Sequence, residues 1–499
     1  MALWQSIPFA CILLPLGSAA ITSVLKERWA KYWTMFVLVC LVVLSSVFAG
    51  KMLAFSGSYT YMMGHYPAPF GNEIRAGQLE AVTALFFSVI MLLSLMGGMK
   101  KVEEHLLSDK QSLYYVMLLL LSAALMAQVY TNDLFTAYVF LEIMTLSACS
   151  LITARNRGRT LVAATRYMIM NLLGSGMFLL GITLLYDLSG HLLMSNIQQA
   201  VAHLAADGQY RMPLTVVIAL MTIGLSIKSA LFPFHTWVPD AYGYSTPTSA
   251  AVLSSLVSKG YIFMLVKLFW RVIGLDVIRS TGILDVLFVF AMVGMVMGSL
   301  SAIRQNDVRR MIAFSSVAQI GYIFMGLGMG TKEGAAAAMF HIFAHGVSKA
   351  MLFLSAGGLA DASGNHKQFR HLRGAGFRSP IAGVAFTIGA LSMVGFPFLG
   401  GFTSKLNFAM AAMDQSDIRM LLVLAVLAVS TFLNTVYFLK TVITLYRKPL
   451  PGIEYPAEKG RRGFCFNASL VLFSLVNIAL GLFSQNVMGL ITRGLSHFG

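Results

Sequence analysis

The sequence predicts an all-α membrane protein of about fourteen transmembrane helices, two of them broken. Three observations carry this. Of its 499 residues, 57% are hydrophobic and only 11% charged, against about 25% charged in a soluble domain. The mean hydropathy is +0.75. Apolar runs long enough to cross a hydrocarbon core, each of about 18 residues or more, recur along the whole chain. A soluble protein would need a core larger than one domain supports.

The runs place spans near 5–24, 33–50, 79–98, 111–129, 133–154, 161–185, 213–242, 248–273, 281–303, 309–328, 333–360, 379–413, 418–445 and 466–490. The net charge of +16 sits mostly in short connections: Lys26–Lys31, Lys100–Lys110, Arg155–Arg159, Arg304–Arg310, Lys367–Arg378 and Lys448–Arg462. With fourteen spans all six fall on one side. The positive-inside rule makes that side the cytoplasm and places both termini outside. This distribution removes any need to invoke nucleic acid. Joining or splitting one span would destroy the agreement. The longer connections 51–78 and 186–212 fall outside and suggest no soluble domain, so residues 1–499 form a single membrane domain. The first run lacks a preceding basic stretch and reads as an uncleaved span. Cys11, Cys40, Cys149 and Cys465 are scattered, with no C-x-x-C, which argues against a zinc site, an iron–sulfur cluster or a disulfide framework.

Two spans are interrupted. Phe-Pro-Phe stands at 232–234 and again at 396–398, the second within Val394-Gly-Phe-Pro-Phe-Leu-Gly-Gly401. Proline removes a helical hydrogen bond and glycine eases the bend. Broken backbone is tolerated in a bilayer only inside protein or beside a wet cavity. The breaks are five spans apart, and an odd offset reverses direction across the membrane. Such matched breaks mark the transport path of inverted-repeat proteins. Two unrelated proline kinks are the alternative.

Charges stand inside the spans. Glu142 lies deep in the fifth, Lys228 just before the first break, Lys259 about three turns into the eighth, and Lys405 just after the second break. A mid-bilayer charge costs roughly 2.5–3.5 kcal/mol on insertion scales. Interhelical ion pairs would account for some of these residues, but not for three lysines beside one glutamate. In the eleventh span His341, His345 and Lys349 are spaced i, i+4, i+8 and share one helix face over roughly 12 Å. Histidine titrates near neutral pH and suits proton relay. No third metal ligand stands nearby, so no metal site is expected. Arg166 is read as a snorkelling or path residue, Asp133 as a helix cap, and His235 and Asp240 as partners for backbone freed by the first break. Lys267 and Lys440 are read as solvated span ends.

The pattern resembles the antiporter-like subunit family shared by complex I, Mrp-type sodium/proton antiporters and membrane-bound hydrogenases, formate hydrogenlyase included. The resemblance covers about residues 111–410. It rests on Asn132-Asp-Leu-Phe-Thr-Ala-Tyr-Val-Phe-Leu-Glu142, Lys228-Ser-Ala-Leu-Phe-Pro-Phe-His-Thr-Trp237, Ser258-Lys-Gly-Tyr261, Asp307-Val-Arg-Arg310, His341…His345…Lys349 and Gly400-Gly-Phe-Thr-Ser-Lys405. It implies inverted five-helix repeats at 111–273 and 281–445. Glu142 and Lys228 would be the paired switch, Lys259 the central lysine and Lys405 the terminal exchange residue, where some members carry glutamate. It implies other membrane subunits of an Mrp-, hydrogenase- or complex I-like assembly as partners, in a prokaryotic cell membrane. Protons would be the ion moved, with sodium as a second candidate. No quinone, flavin, nucleotide or cluster motif occurs, so no cofactor is expected and any redox chemistry would belong to a partner. A self-contained carrier for an organic solute and a structural scaffold are the competing classes.

Overall fold

The computed structural model describes residues 3–55, 57–66, 71–451 and 463–498. Thirteen of its helices are long and apolar enough to cross a membrane. They match the predicted spans except at 379–413, which is divided into Pro380–Val394 and Gly400–Ala412. Several helices outrun their predicted bounds: Glu27–Ala54, Gln78–His105 and Gly158–Ser189 carry polar residues at their ends. Apolar runs register the hydrocarbon thickness, whereas the helices continue into the headgroup layer. Much of the last basic connection, Lys448–Arg462, lies outside the described residues.

The structure departs from the sequence reading in three places. The predicted span 466–490 ends at Leu482, and a separate helix, Ser484–Ser496, follows. Ser484, Gln485, Asn486 and Arg493 interrupt the apolar run, while Ile491, Gly494 and Leu495 are buried. The connection 186–212 contains the amphipathic helix Met194–Asp207, which buries Met194, Ile197 and Val201. The connection 51–78 contains a two-stranded antiparallel ribbon that pairs Tyr59 with Ala76 and Met62 with Glu73.

The core is built from Pro247–Ile273, Val308–Gly328 and Lys332–Asp361, which are almost wholly buried within the bundle. Helices around them pack through small residues, as membrane bundles do. Where Gly158–Ser189 crosses Arg211–Ser229, a Cβ on Gly224 would stand 2.6 Å from the Gly174 carbonyl oxygen, and a Cβ on Gly174 would stand 2.7 Å from that of Gly224. Glycine is required at both.

The two breaks share one backbone solution. Arg211–Ser229 ends with Ala230 in the left-handed region (φ 64°). The Leu231 amide donates to Ser226 O (3.0 Å) and the Ala230 amide to Ile227 O (3.2 Å). Pro380–Val394 ends with Gly395 at φ 96°; the Phe396 amide donates to Leu391 O (2.9 Å) and the Gly395 amide to Ser392 O (3.1 Å). Both are Schellman stops, which satisfy carbonyls left over at a helix end.

A second correspondence joins the same two halves. Asp133 caps Leu134–Thr153 by accepting from the Thr136 amide (2.6 Å), and Asp307 caps Val308–Gly328 by accepting from the Arg309 amide (2.8 Å). Each follows an asparagine. Leu134 N donates to Leu192 O and Met194 N to Asn132 O, both at 2.9 Å. Val308 N donates to Lys367 O and Phe369 N to Asn306 O, both at 3.1 Å. Asp133 begins the helix Leu134–Thr153, and Arg155, at its other end, lines a cavity with Asp307. The two bridges therefore lie at opposite ends of a 20-residue helix, about 30 Å apart.

The glycine crossing is directly testable. Gly224→Ala is expected to lower the melting temperature of the purified protein, at a cost of about 1–3 kcal/mol. Gly176→Ala, whose Cβ would meet nothing within 4 Å, is expected to leave it unchanged or slightly raised. Equal melting temperatures would show that the crossing is not tight.

Candidate functional site

The seven side chains singled out in the sequence lie in successive groups of contacts along the core of the bundle. Glu142, on Leu134–Thr153, is partly exposed, its side chain retaining 23% accessibility, while Lys228 is fully buried. Lys228 Nζ stands 3.2 Å from Glu142 Oε1, donates to Thr145 Oγ1 at 2.8 Å, and lies 5.3 Å from the centre of the Tyr261 ring. Ser175, next to the Gly174 crossing, donates to the other side of the pair at Glu142. Thr145 in turn meets the Tyr261 hydroxyl at 2.9 Å, and Tyr261 meets Tyr167 at 3.3 Å.

Tyr261 and Lys259 share the helical stretch Ser258–Lys267, which is preceded by a wide π turn, Leu253–Val257. Lys259 Nζ donates back to the Ser254 carbonyl in that turn (2.5 Å) and to Ser258 Oγ (3.1 Å). Such bulges are frequent at functional sites. The Ser254 hydroxyl meets Ser316 Oγ at 3.0 Å. One residue earlier, Ser315 accepts from Lys349, whose Nζ also donates to Ile312 O at 3.1 Å.

Lys349 belongs to Lys332–Asp361, and its face continues as predicted. The His345 and His341 rings stack with centroids 5.7 Å apart, and Tyr322 stacks on His341 at 5.5 Å. His341 Nδ1 meets Ser404 Oγ at 2.7 Å. Both ring nitrogens of His345 and Nε2 of His341 are buried without a partner among the described residues. Buried polar atoms of this kind call for ordered water. The residue after Ser404 is Lys405. Its Nζ donates to Val394 O at 2.8 Å, the terminal carbonyl of the half-helix Pro380–Val394. A cation is favoured at that negative dipole end.

The second break is held by the last span. A Cβ on Gly481 would stand 2.2 Å from Phe398 O. Asn477 Nδ2 donates to Ser348 Oγ (2.7 Å), Ser348 to Ser392 Oγ (3.2 Å), and the Gly401 amide to the same Ser392 Oγ (3.2 Å). The first turn of Gly400–Ala412, and with it Lys405, is tied to the neighbour of Lys349.

The family described as NADH:quinone oxidoreductase/Mrp antiporter, transmembrane, matches residues 131–432, which contain all seven residues of the path. The chain belongs to this family. Relatives within it carry the names of two kinds of assembly. NADH-quinone oxidoreductase subunit N of Desulforudis audaxviator is 32% identical, over 97% of this chain and 97% of its own. A Staphylococcus aureus protein named for an antiporter, subunit mnhD2, is 27% identical over 86% of this chain and 84% of its own. Among solved structures, a chain of the archaeal membrane-bound sulfane sulfur reductase superimposes with a TM-score of 0.87 at 27% identity, covering 99% of this chain and 98% of its own. A chain of the Mrp complex from Dietzia shares the fold, with a TM-score of 0.86 at 23% identity over 100% of this chain and 98% of its own. Against that family background, several sequence expectations change.

Lys267 is not a solvated span end. It is fully buried and donates to Thr131 O at 2.8 Å, the residue that closes Ser108–Tyr130. Glu80 and Arg271 form a buried ion pair that was not anticipated, with side chains 2% and 0% exposed. Each stands near a span end, where a charge reads as ordinary. Asp240 does not serve freed backbone; it pairs with Arg166 (2.5 Å) and Arg310 (2.9 Å). His235 stacks on Phe232, centroids 5.3 Å apart. The hydroxyl partners Thr145, Ser175, Ser254, Ser315, Ser316 and Ser404 carried no distinguishing signal, because serine and threonine are unremarkable in apolar runs.

Ser392→Ala removes the acceptor of the Gly401 amide. Hydrogen exchange over residues 400–403 is expected to quicken about tenfold, the loss of roughly 1.4 kcal/mol of protection. Thr387→Ala, which deletes a hydroxyl bonded only to its own helix at Gly383 O, is expected to leave that segment unchanged. Equal rates in the two variants would break the link between Ser392 and the break.

Proposed function

We propose that this chain is a proton-translocating, antiporter-like subunit of a multisubunit membrane complex, moving protons along Glu142, Lys228, Lys259, Lys349, His345, His341 and Lys405. The observation that carries the proposal is the company the lysines keep. Lys259, Lys349 and Lys405 are met by backbone carbonyls and serines, and no ion pair reaches them among the described residues. A fixed charge in this setting costs several kcal/mol. A proton that comes and goes relieves the cost, and the hydroxyls and unpartnered imidazole nitrogens supply sites for relaying water.

Glu142 supplies the control. While its carboxylate stands 3.2 Å from Lys228, the charged ammonium is favoured. Moving the carboxylate away favours release, at about 1.4 kcal/mol per unit of pKa. The released proton passes by water from the Tyr261 end of the helix to Lys259, then across the Ser254–Ser316 contact to Lys349, and along the stacked histidines to Lys405.

The matched Asn-Asp caps and matched Schellman stops support a single membrane domain, 1–499, with inverted repeats at 111–273 and 281–445. The names of the relatives support partners that are membrane subunits of a complex I- or Mrp-like assembly, with a hydrogenase-like one carried by the sequence resemblance alone. The six basic connections support an orientation with both termini outside, and the bacterial relatives support a prokaryotic cell membrane.

In proteoliposomes holding the intact complex, Lys228→Ala and Lys259→Ala are each expected to lower proton uptake at least tenfold while co-purifying subunits are retained. Glu142→Gln is expected to do the same, and Lys440→Ala, on an exposed helix face, to leave uptake intact. Wild-type pumping by an assembled Lys228→Ala complex would eliminate the proposal. Uptake that requires an added organic solute would favour a carrier.

A further inference from the structure

The end of the bundle opposite Asn132 carries a charge imbalance that the proton path does not use. A cavity of about 370 Å³ is lined by Arg155, Arg157, Arg309 and Lys367 together with two acids, Glu104 and Asp361. The two acids are engaged elsewhere: Lys101 pairs with Glu104 and, at 2.8 Å, with Asp361. Among the described residues no ion pair reaches any of the four cations. Arg309 is 1% exposed. One of its terminal nitrogens donates to Tyr242 O (2.8 Å) and Ser245 O (2.7 Å), while its Nε is buried without a partner, as is Arg155 Nε. Burial, together with Arg309, Arg155 and Arg157 and against Asp307, pushes the Lys367 ammonium down to about 7. One buried cation, Arg309, with half-buried Arg155 and Lys367 and exposed Arg157 beside it, and no ion pair to any of them among the described residues, leaves a need for negative charge.

The cavity does not stop there. A second hollow of about 520 Å³ shares Arg155, Arg157 and Lys367 and adds Arg159 and Tyr244. A third of about 480 Å³ shares Arg159 and Tyr244 and reaches Val162 and Arg166. The Arg159 guanidinium lies 5.6 Å from the centre of the Tyr244 ring. At its outer end the cleft reaches Val162 of Gly158–Ser189, which is 54% exposed, and Leu161 and Ile169 on the same helix are 47% and 55% exposed. Apolar residues so exposed on a spanning helix face acyl chains. The cleft thus joins a lipid-facing stripe to a buried guanidinium, on the side where the basic connections place the cytoplasm and its anionic leaflet.

We infer that this cleft is a binding site for a phosphate group, that of an anionic phospholipid whose headgroup enters past Arg159 and Tyr244 and whose chains lie on the Leu161–Val162–Ile169 stripe. Arg155 and Arg157 supply fork-shaped donors that suit phosphate oxygens. Arg309 and Lys367 supply charge from beneath. Free phosphate shares the headgroup's chemistry but has no use for the apolar stripe.

The test uses the delipidated intact complex in phosphatidylcholine nanodiscs, titrated with phosphatidylglycerol while its melting temperature is followed. Inorganic phosphate is titrated in a parallel arm. A saturable rise with phosphatidylglycerol is expected, with half-saturation shifted at least tenfold upward in Arg155→Gln/Arg157→Gln and, separately, in Lys367→Gln. Lys100→Gln, basic and exposed but outside the cleft, is expected to titrate as the wild type does. A response to inorganic phosphate equal to that of the lipid overturns the lipid occupant. Wild-type half-saturation in both cleft variants, or an equal shift in Lys100→Gln, overturns the site.

Discussion

The structure depends on one constraint: an ammonium group in the middle of this bundle must find oxygen atoms where regular helices offer few. An unbroken helix spends its carbonyls on its own amides. At three irregular places a carbonyl is met by a lysine, while Lys349 reaches Ile312 O on a regular helix. Lys405 takes the last carbonyl before the second break, Lys259 a carbonyl in a π turn, and Lys267 the carbonyl that closes Ser108–Tyr130. At these three places the carbonyl and the lysine fit one another, since a carbonyl oxygen lowers the cost of a buried cation.

The hydroxyl residues complete the arrangement. Serines at 254, 315, 316 and 404 sit between successive titratable groups and have no net charge to desolvate. They keep the path polar at low cost, leaving the expensive groups well spaced. Glu142 alone among the seven opposes a lysine with negative charge, and like Lys405 it is only half-buried, its side chain retaining 23% accessibility.

Much of this was legible in the sequence, for identifiable reasons. Phe-Pro-Phe announced both breaks, because proline's missing donor acts in any context. The i, i+4, i+8 spacing put His341, His345 and Lys349 on one face, because helical periodicity is local. What failed was long-range. Nothing local says that Glu80 meets Arg271, or that Lys267 turns inward at a span end to serve a different helix. The helix Ser484–Ser496 was absorbed into the last span because hydropathy averages over its few polar residues. One signal was present and unused: Asn-Asp stands at both 132–133 and 306–307, and the caps and bridges it builds are the closest correspondence between the two halves.

The glycine crossing at 174 and 224 bears on how such a path can operate. Two helices whose backbones already touch have no slack along their line of approach. Lys228 packs its stem against this same junction, since a Cβ on Gly174 would stand 3.1 Å from its Cγ. The scaffold is thus fixed beside Lys228, and the four rotatable bonds of its stem are the cheapest moving part available. A switch at this position, if proton transfer runs through it as proposed, would need only the swing of a side chain on a stationary frame, a displacement small enough to repeat at every turnover without repacking the membrane around it.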